Sequence, residues 1–247
     1  MAMKRKMISI FCVLLAMSLL LCGCAADDES VSGGDVAFEL SKDLIDDDIA
    51  QLKLFESGCF YISGSMTDAS GETLPMEMAI KNGNSNMASQ MEGVTIAFMC
   101  VDGKYYMNYP DGECVLELDE AVCREMELDP AELTFDASSI AIGDVDNSVL
   151  VSEEDALVDT EKAVCRTYQL PNGAYVKTYM KDGKMIRLQR EDAQGNMTSV
   201  FDIDVLADIF PDSAVNLPSG SKLYSGTTGM MAFMLKFASA VGMDAFE

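Results

Sequence analysis

Turn pairs that contain glycine recur at intervals of roughly ten residues, and they constrain this chain more than any other feature. Asn-Gly and Asp-Gly accept the positive φ angles of tight hairpin turns, so each pair predicts a reversal between two antiparallel strands. The pairs fall in two groups: Ser70-Gly71, Asn82-Gly83, Glu92-Gly93, Asp102-Gly103 and Asp111-Gly112, then Asn172-Gly173, Asp182-Gly183 and Gln194-Gly195.

Between these turns the apolar residues alternate with polar ones, which is the pattern of β-strands with one buried face. Strand patterns start at Cys59 and occupy 74–81, 94–101, 105–109 and 114–118 in the first meander, and 164–170, 174–180, 184–191 and 196–203 in the second. We predict a mainly antiparallel β fold with helices (α+β) of about ten or eleven strands. So many strands favour an open half-barrel over a flat sheet.

One helix is predicted ahead of the strands. Ser41 suits the N-cap, and Ile45, Ile49 and Leu52 follow at helical spacing, so we expect about four turns that end near Gly58. The three aspartates 46–48 then lie on a solvated face near the positive end of the helix dipole.

Two further segments differ from the strand pattern. Residues 119–160 predict a helical insert over one face of the sheet: 119–126 has a helix pattern, Asp129-Pro130 marks another helix start, and 144–159 is acidic and irregular. Residues 226–247 predict an apolar C-terminal helix capped by Thr227-Thr228. A helix that is apolar nearly all round has to be buried. Packing within its own domain is the expectation; a plug in the barrel mouth and a partner surface are alternatives.

The N-terminus has the layout of an export signal. Three basic residues at 4–6 precede the apolar run 7–21, and Leu21-Cys22-Gly23-Cys24 follows. This ending resembles the bacterial lipobox, which implies that residues 1–23 are a lipoprotein signal peptide and that Cys24 becomes the acylated N-terminus. Residues 24–37 are then an acidic tether. The alternative is an uncleaved membrane anchor over 7–26, which is just long enough to span a bilayer.

Charge and composition exclude several functions. The chain of 247 residues has 17 basic and 41 acidic side chains, and a net charge of −24 argues against nucleic acid as a partner. Cleavage before Cys24 removes three basic residues and no acidic ones, so the net charge becomes −27. The absence of histidine removes Ser-His-Asp catalysis and His-ligated zinc. No motif predicts a catalytic residue, a metal site or a cofactor, and we expect no enzyme activity.

Five cysteines remain once the export segment is set aside, so they cannot all pair within one chain. Those at 59, 100 and 165 lie in apolar stretches that favour buried free thiols. Cys114 and Cys123 are the candidate disulfide pair, given the exported context.

Three segments carry a resemblance to a known group. They are the strand entry Phe55-Glu56-Ser57-Gly58-Cys59-Phe60-Tyr61-Ile62-Ser63-Gly64, the hairpin segment Asp102-Gly103-Lys104-Tyr105-Tyr106-Met107, and the final approach Val215-Asn216-Leu217-Pro218-Ser219-Gly220. Over residues 38–225 the chain resembles the LolA/LolB-like lipoprotein-carrier superfamily, which includes the envelope lipoproteins of LppX/LprG type. The resemblance implies an open barrel of about eleven strands, with helices as a lid over an apolar cavity for acyl chains.

The expected function is therefore a lipid-anchored protein on the extracytoplasmic face of the bacterial cell membrane that binds an acyl chain or another apolar ligand. The alternative is an envelope sensor or interaction module with a self-filled core that binds a protein partner. Methionines fit either one, because they suit variable ligands and ordinary cores equally. The predicted cavity lining is Phe60, Ile62, Met76, Met78, Ile96, Phe98, Val176 and Phe201.

Overall fold

The structure is a computed structural model and describes residues 38–91, 93–128 and 144–242. The predicted signal peptide, Cys24, the tether and the helix start at Asp129 lie outside these residues. The described helices are α1 (Asp48–Ser57), α2 (Glu120–Met126) and α3 (Gly226–Ala240). The strands are β1 (Phe60–Asp68), β2 (Thr73–Lys81), β3 (Asn84–Met91), β4 (Val94–Val101), β5 (Lys104–Tyr109), β6 (Cys114–Glu117), β7 (Val149–Val158), β8 (Glu161–Gln169), β9 (Tyr175–Lys181), β10 (Lys184–Glu191), β11 (Met197–Ala207) and β12 (Lys222–Tyr224).

The described residues divide into two compact units, and each unit draws on two regions that are separated in sequence. Among the described residues, unit 1 contains 83–128 and 212–242 apart from residue 92, and unit 2 contains 38–82 and 144–211. The described strands are antiparallel to their neighbours except β12, which runs parallel to β6. A mainly antiparallel β fold with helices is therefore confirmed.

Unit 2 contains seven strands in the order β2-β1-β11-β10-β9-β8-β7. Its tight turns have the predicted backbone: Asp182 and Gly183, between β9 and β10, have φ angles of 49° and 76°. The turn between β7 and β8 has the same form without glycine, because Asp159 and Thr160 have φ angles of 48° and 75°. Two consecutive positive φ angles are the signature of a two-residue hairpin turn, type I′.

Helix α1 packs on one face of the unit 2 sheet, with Phe55 against Phe60 at a ring separation of 5.3 Å. Its end at Gly58 is confirmed, since Gly58 has the left-handed conformation of a C-cap. The predicted start at Ser41 is wrong. Asp46 has a φ of 71°, which no α-helix accommodates, and Asp47 caps the helix by accepting a hydrogen bond from the Ala50 N–H.

Unit 1 contains five strands in the order β12-β6-β5-β4-β3. Helices α2 and α3 cover one face of this sheet, and α3 places Phe233 and Phe237 in the shared core at 0% and 1% exposure. The expectation that the C-terminal helix packs within its own domain is therefore confirmed.

One carboxylate caps both helices of unit 1. Asp119 accepts from the Val122 N–H of α2 at 2.9 Å and from the Gly226 N–H of α3 at 2.8 Å. These two bonds remove orphan donors at both helix starts. The predicted cap at Thr227-Thr228 is wrong, because α3 begins at Gly226 after Ser225.

The predicted helical insert is only partly correct. Its first helix is α2, as expected, but 149–158 form strand β7. The strand escaped prediction because its residues show no period-two pattern and its turn has no glycine; pairing with β8 sets its conformation. The described residues form twelve strands, where ten or eleven were predicted. None of the described helices has both the length and the apolar character needed to cross a bilayer.

Candidate functional site

Six of the eight predicted cavity residues lie in unit 2, and the structure brings them to one face of its sheet. Phe60 and Ile62 alternate on β1, and Ile62 pairs with Met78 on β2. The set is Phe60, Ile62, Met76, Met78, Val176 and Phe201; all are buried except Met76, which is half-buried. This is the face that α1 covers, so the space expected for a ligand contains the side chains of the protein's own helix.

The other two, Ile96 and Phe98, lie on β4 of unit 1 and face α2 and α3. Met107 and Met126 fill the same core together with Met230 and Met234 of α3. The methionines and the C-terminal helix therefore act as core residues here.

A small pocket lies among the described residues of unit 1. It lies between side chains of β3, β4 and β5, and its volume is about 10 Å³. That is room for about one water molecule, whereas pockets for organic ligands measure roughly 300 Å³ or more. Its lining contains Phe98 of the predicted set, with Ser85, Met99, Cys100, Tyr105, Tyr106 and Leu118.

Cys114 and Cys123 are buried free thiols in the structure, not the disulfide considered above. The Cys123 Sγ–H donates to the Leu118 carbonyl oxygen at 3.3 Å. Burial raises the pKa of both thiols, so the neutral form is favoured and both behave as small apolar side chains.

A buried carboxylate joins α1 to the unit 2 sheet. Asp48 is 3% exposed, and its Oδ2 accepts from the Tyr168 hydroxyl at 2.9 Å and the Thr178 hydroxyl at 2.7 Å. Its Oδ1 accepts from the Arg166 guanidinium at 3.1 Å. The predicted solvated face is therefore wrong for Asp48, although Asp46 and Asp47 are exposed.

These contacts describe a structural cluster. Every oxygen of the Asp48 carboxylate has a protein donor, and burial followed by the bond to Asp48 raises the pKa of Tyr168 well above its ordinary value. A tyrosine held neutral and a carboxylate with three donors anchor the helix to β8 and β9.

Gln51, one turn further along α1, extends the same attachment. The side-chain amide of this fully buried residue donates to the carbonyl oxygens of Leu44 and Gly183, and its Oε1 accepts from the Met185 N–H at 2.8 Å. The first turns of α1 are thus fixed to the sheet by polar contacts as well as by Phe55.

Strand β7 is the surface that sequence analysis missed. It ends the strand order of unit 2 and pairs with β8 on one side. Four large apolar side chains on it are exposed: Val149 by 62%, Leu150 by 49%, Val151 by 49% and Leu157 by 69%. The signal in the sequence was the apolar run 149–151 and Leu157, placed before the two-residue turn at Asp159-Thr160.

The middle of β7 is acidic. Glu153, Glu154 and Asp155 follow one another, and Glu153 pairs with Arg166 across the hairpin at 2.8 Å. Among the ion pairs of the described residues none involves Glu154 or Asp155. The strand therefore presents apolar ends and a charged centre to solvent.

Comparison with known proteins gives structural likeness without sequence relationship. No protein-family model matches the chain, and no curated protein matches it. An uncharacterized conserved protein from Thermus thermophilus is similar with a TM-score of 0.37 and 6% identity, over 72% of this chain and 97% of that one.

Two further structures also give low TM-scores. The Pseudomonas aeruginosa MucA/MucB complex gives a TM-score of 0.39 and 14% identity, over 72% of this chain and 62% of that one. A domain described as outer membrane lipoprotein-sorting, from Vibrio parahaemolyticus, gives 0.27 and 10%, over 76% and 97%. TM-scores this low assign neither a family nor a function, and the resemblance to the lipoprotein-carrier superfamily stays a prediction.

Proposed function

We propose that this chain is a non-enzymatic, lipid-anchored protein of the cell envelope whose folded part binds a partner protein. The anchor is the acyl group expected on Cys24, and the acidic tether at 24–37 separates the folded part from the membrane. A net charge of −27 after cleavage favours distance from anionic lipid surfaces.

The observation that carries the choice of a partner over an acyl chain is that the chain's own helices pack on both sheet faces where a ligand was expected. In unit 2 the predicted ligand face is covered by α1, and in unit 1 it is covered by α2 and α3, with Phe233 completely buried. A chain that carries lipid needs a cavity for it, and the unit 1 pocket holds about one water. A half-barrel sheet and a movable helical lid are expected only of a lipid carrier, so neither is part of this proposal.

The second supporting observation is the exposed apolar surface of β7. An exposed strand edge with large apolar side chains is a liability for a protein that has no use for it. Binding a partner accounts for its retention.

The test compares bound lipid with bound protein on the same material. Full-length chain is purified from membranes, and non-covalent lipid is measured by organic extraction and mass spectrometry; a parallel sample is cross-linked in intact cells. We expect no stoichiometric lipid beyond the covalent anchor and one discrete cross-linked protein. Stoichiometric non-covalent lipid would overturn partner binding in favour of the carrier.

A further inference from the structure

We propose that the outer edge of β7, which pairs with no other strand among the described residues, binds an extended, basic segment of a partner protein by strand addition. This rests on the proposed function, because it places the partner site of that function on a particular strand. In this mode of recognition backbone hydrogen bonds supply affinity, and the side chains of the added strand supply specificity.

The hairpin turn shows which backbone groups face the outer edge. In a two-residue turn the flanking residues, here Val158 and Glu161, form a hydrogen-bonded pair. Hydrogen-bonded and non-hydrogen-bonded pairs then alternate along the ladder. The backbone N–H and C=O groups of Glu153, Asp155 and Leu157 therefore point away from β8, toward the outer edge.

The usable edge has defined limits. The ladder with β8 is interrupted between Leu150 and Ser152, where the register shifts, and it ends at the turn after Val158. Regular pairing thus covers 152–158, and this length suits a partner segment of about seven residues.

Charge selects the chemistry of that segment. Glu154 and Asp155 are exposed at the centre of the edge, and the exposed Leu157 lies near the turn. Opposite charges on neighbouring strands stabilise pairing, and like charges destabilise it. Lysine or arginine side chains between apolar ones complement this strand.

The same charges argue against a second copy of the chain as the occupant. Antiparallel pairing of two β7 edges about their centres sets Glu153, Glu154 and Asp155 against the same three acids of the other copy. The repulsion adds to that between two chains of net charge −24.

The experiment uses the full-length chain and two blocked synthetic peptides. The basic probe is Val-Lys-Val-Lys-Thr-Lys-Val, and the acidic probe has glutamate in place of each lysine. Fluorescence anisotropy measures binding, and hydrogen exchange locates it. We expect the basic probe to bind more weakly as salt rises, to protect the amides of 153, 155 and 157, and the acidic probe not to bind.

Two variants test the edge itself. Asp155→Pro removes one outward N–H without removing a bond to β8, and we expect the dissociation constant for the basic probe to rise about tenfold. Glu154→Lys with Asp155→Lys reverses the charge, and we expect the preference to switch to the acidic probe. The matched control, Asp43→Lys with Glu56→Lys, makes the same charge change at exposed positions elsewhere in unit 2.

Three outcomes would overturn the edge assignment. One is unchanged binding of the basic probe by the charge-reversed chain. This result can be interpreted even if the proline variant does not fold. Another is equal loss of binding in the control variant. The third is a wild-type dimer that Asp155→Pro converts to a monomer, since the occupant is then a second copy.

The failure of this inference is distinguishable from that of the proposed function. If the cross-linked partner persists with the charge-reversed chain, partner binding stands and its site lies elsewhere. If the purified chain holds stoichiometric lipid, the proposed function falls first.

Discussion

The hydroxyl group of Tyr168 donates to Oδ2 of Asp48 over 2.9 Å, and so joins the first residue of α1 to strand β8, 120 residues later in the chain. Thr178 and Arg166 complete the set of donors. The helix that covers the predicted ligand face is thereby held by a specific polar contact in addition to apolar packing.

Replacing Asp48 tests that attachment. We expect Asp48→Ala to lower the free energy of unfolding by roughly 3 kcal/mol, because it leaves the buried hydroxyl groups of Tyr168 and Thr178 without their acceptor. Arg166 keeps its ion pair with Glu153. Chemical denaturation measures the loss. Asp43→Ala, at an exposed position, is the control and changes stability by about 0.5 kcal/mol or less. Equal effects at both positions would contradict the role given to the buried cluster.

Gly64 offers a test of the β1–β11 pairing. A Cβ atom at this position lies 1.9 Å from the Asp202 carbonyl oxygen, so Gly64→Ala forces the two strands apart. We expect a loss of roughly 3 kcal/mol in the free energy of unfolding. Gly195→Ala separates backbone strain from collision: Gly195 also has a positive φ, +80°, but has nothing within 4 Å of the added atom. That control costs about 1 kcal/mol, and a similar loss at both glycines would show that collision is unimportant.

The C-terminal helix supplies the third prediction. Phe237 is 1% exposed and packs edge-on against Tyr109 with ring centroids 5.6 Å apart. We expect Phe237→Ala to lower the free energy of unfolding by about 3–5 kcal/mol. Leu235→Ala, at a position 42% exposed on the same helix, costs much less. If thermal denaturation shows the two variants to be equally stable, α3 is not part of the core.

Alkaline pH destabilises unit 2. Burial, with a smaller effect of Glu77, raises the pKa of Tyr61 to about 12, and burial, with a smaller effect of Cys165, raises that of Tyr179 to about 12. A tyrosine whose pKa is raised by folding stabilises fully below the unfolded value of 10.0, and this stability is lost as the pH rises toward 12.

Denaturation midpoints measured across that range give the fall in stability. Tyr168 shares the effect, since its pKa is also raised. Tyr168→Phe is therefore less stable at neutral pH but has a shallower decline above pH 10.0. A decline as steep as that of the wild type would mean that Tyr168 ionises normally.

The thiols supply the last prediction. Cys114 and Cys123 react with an alkylating reagent only after unfolding, because both are buried and burial raises the pKa of each. Peptide mapping then finds both alkylated singly. A cross-linked peptide containing both, lighter by two hydrogen atoms, would restore the disulfide.

The parts of the fold that local chemistry determines were predictable. Asp-Gly turns, the end of α1 at Gly58 and the helix after Asp119 each depend on neighbouring residues. The burial of Asp48 was not predictable, because nothing in the local sequence distinguishes the three consecutive aspartates. The hydrogen bonds that Asp48 accepts come from Tyr168 and Thr178, which lie on strands distant in sequence.

Strand β7 was missed by the sequence prediction for a different reason. Its acidic residues and glycine-free turn weaken every local signal, and its strand conformation is set by pairing with β8. Of the predicted cavity residues, those in unit 2 share one side of the sheet, as their period-two spacing implies. What covers a face is decided by tertiary packing, which periodicity alone does not show.

The discontinuous make-up of the two units has a consequence for biosynthesis. All described elements of unit 2 lie before residue 211, whereas the core of unit 1 is complete only when Phe233 and Phe237 of α3 have been synthesised. As the chain leaves the ribosome, the apolar face of β4–β6 is therefore covered only by α2 until α3 emerges. A message truncated before α3 yields a chain with a folded unit 2 and an apolar sheet face in unit 1 that α2 covers only in part, the kind of species that quality-control proteases remove.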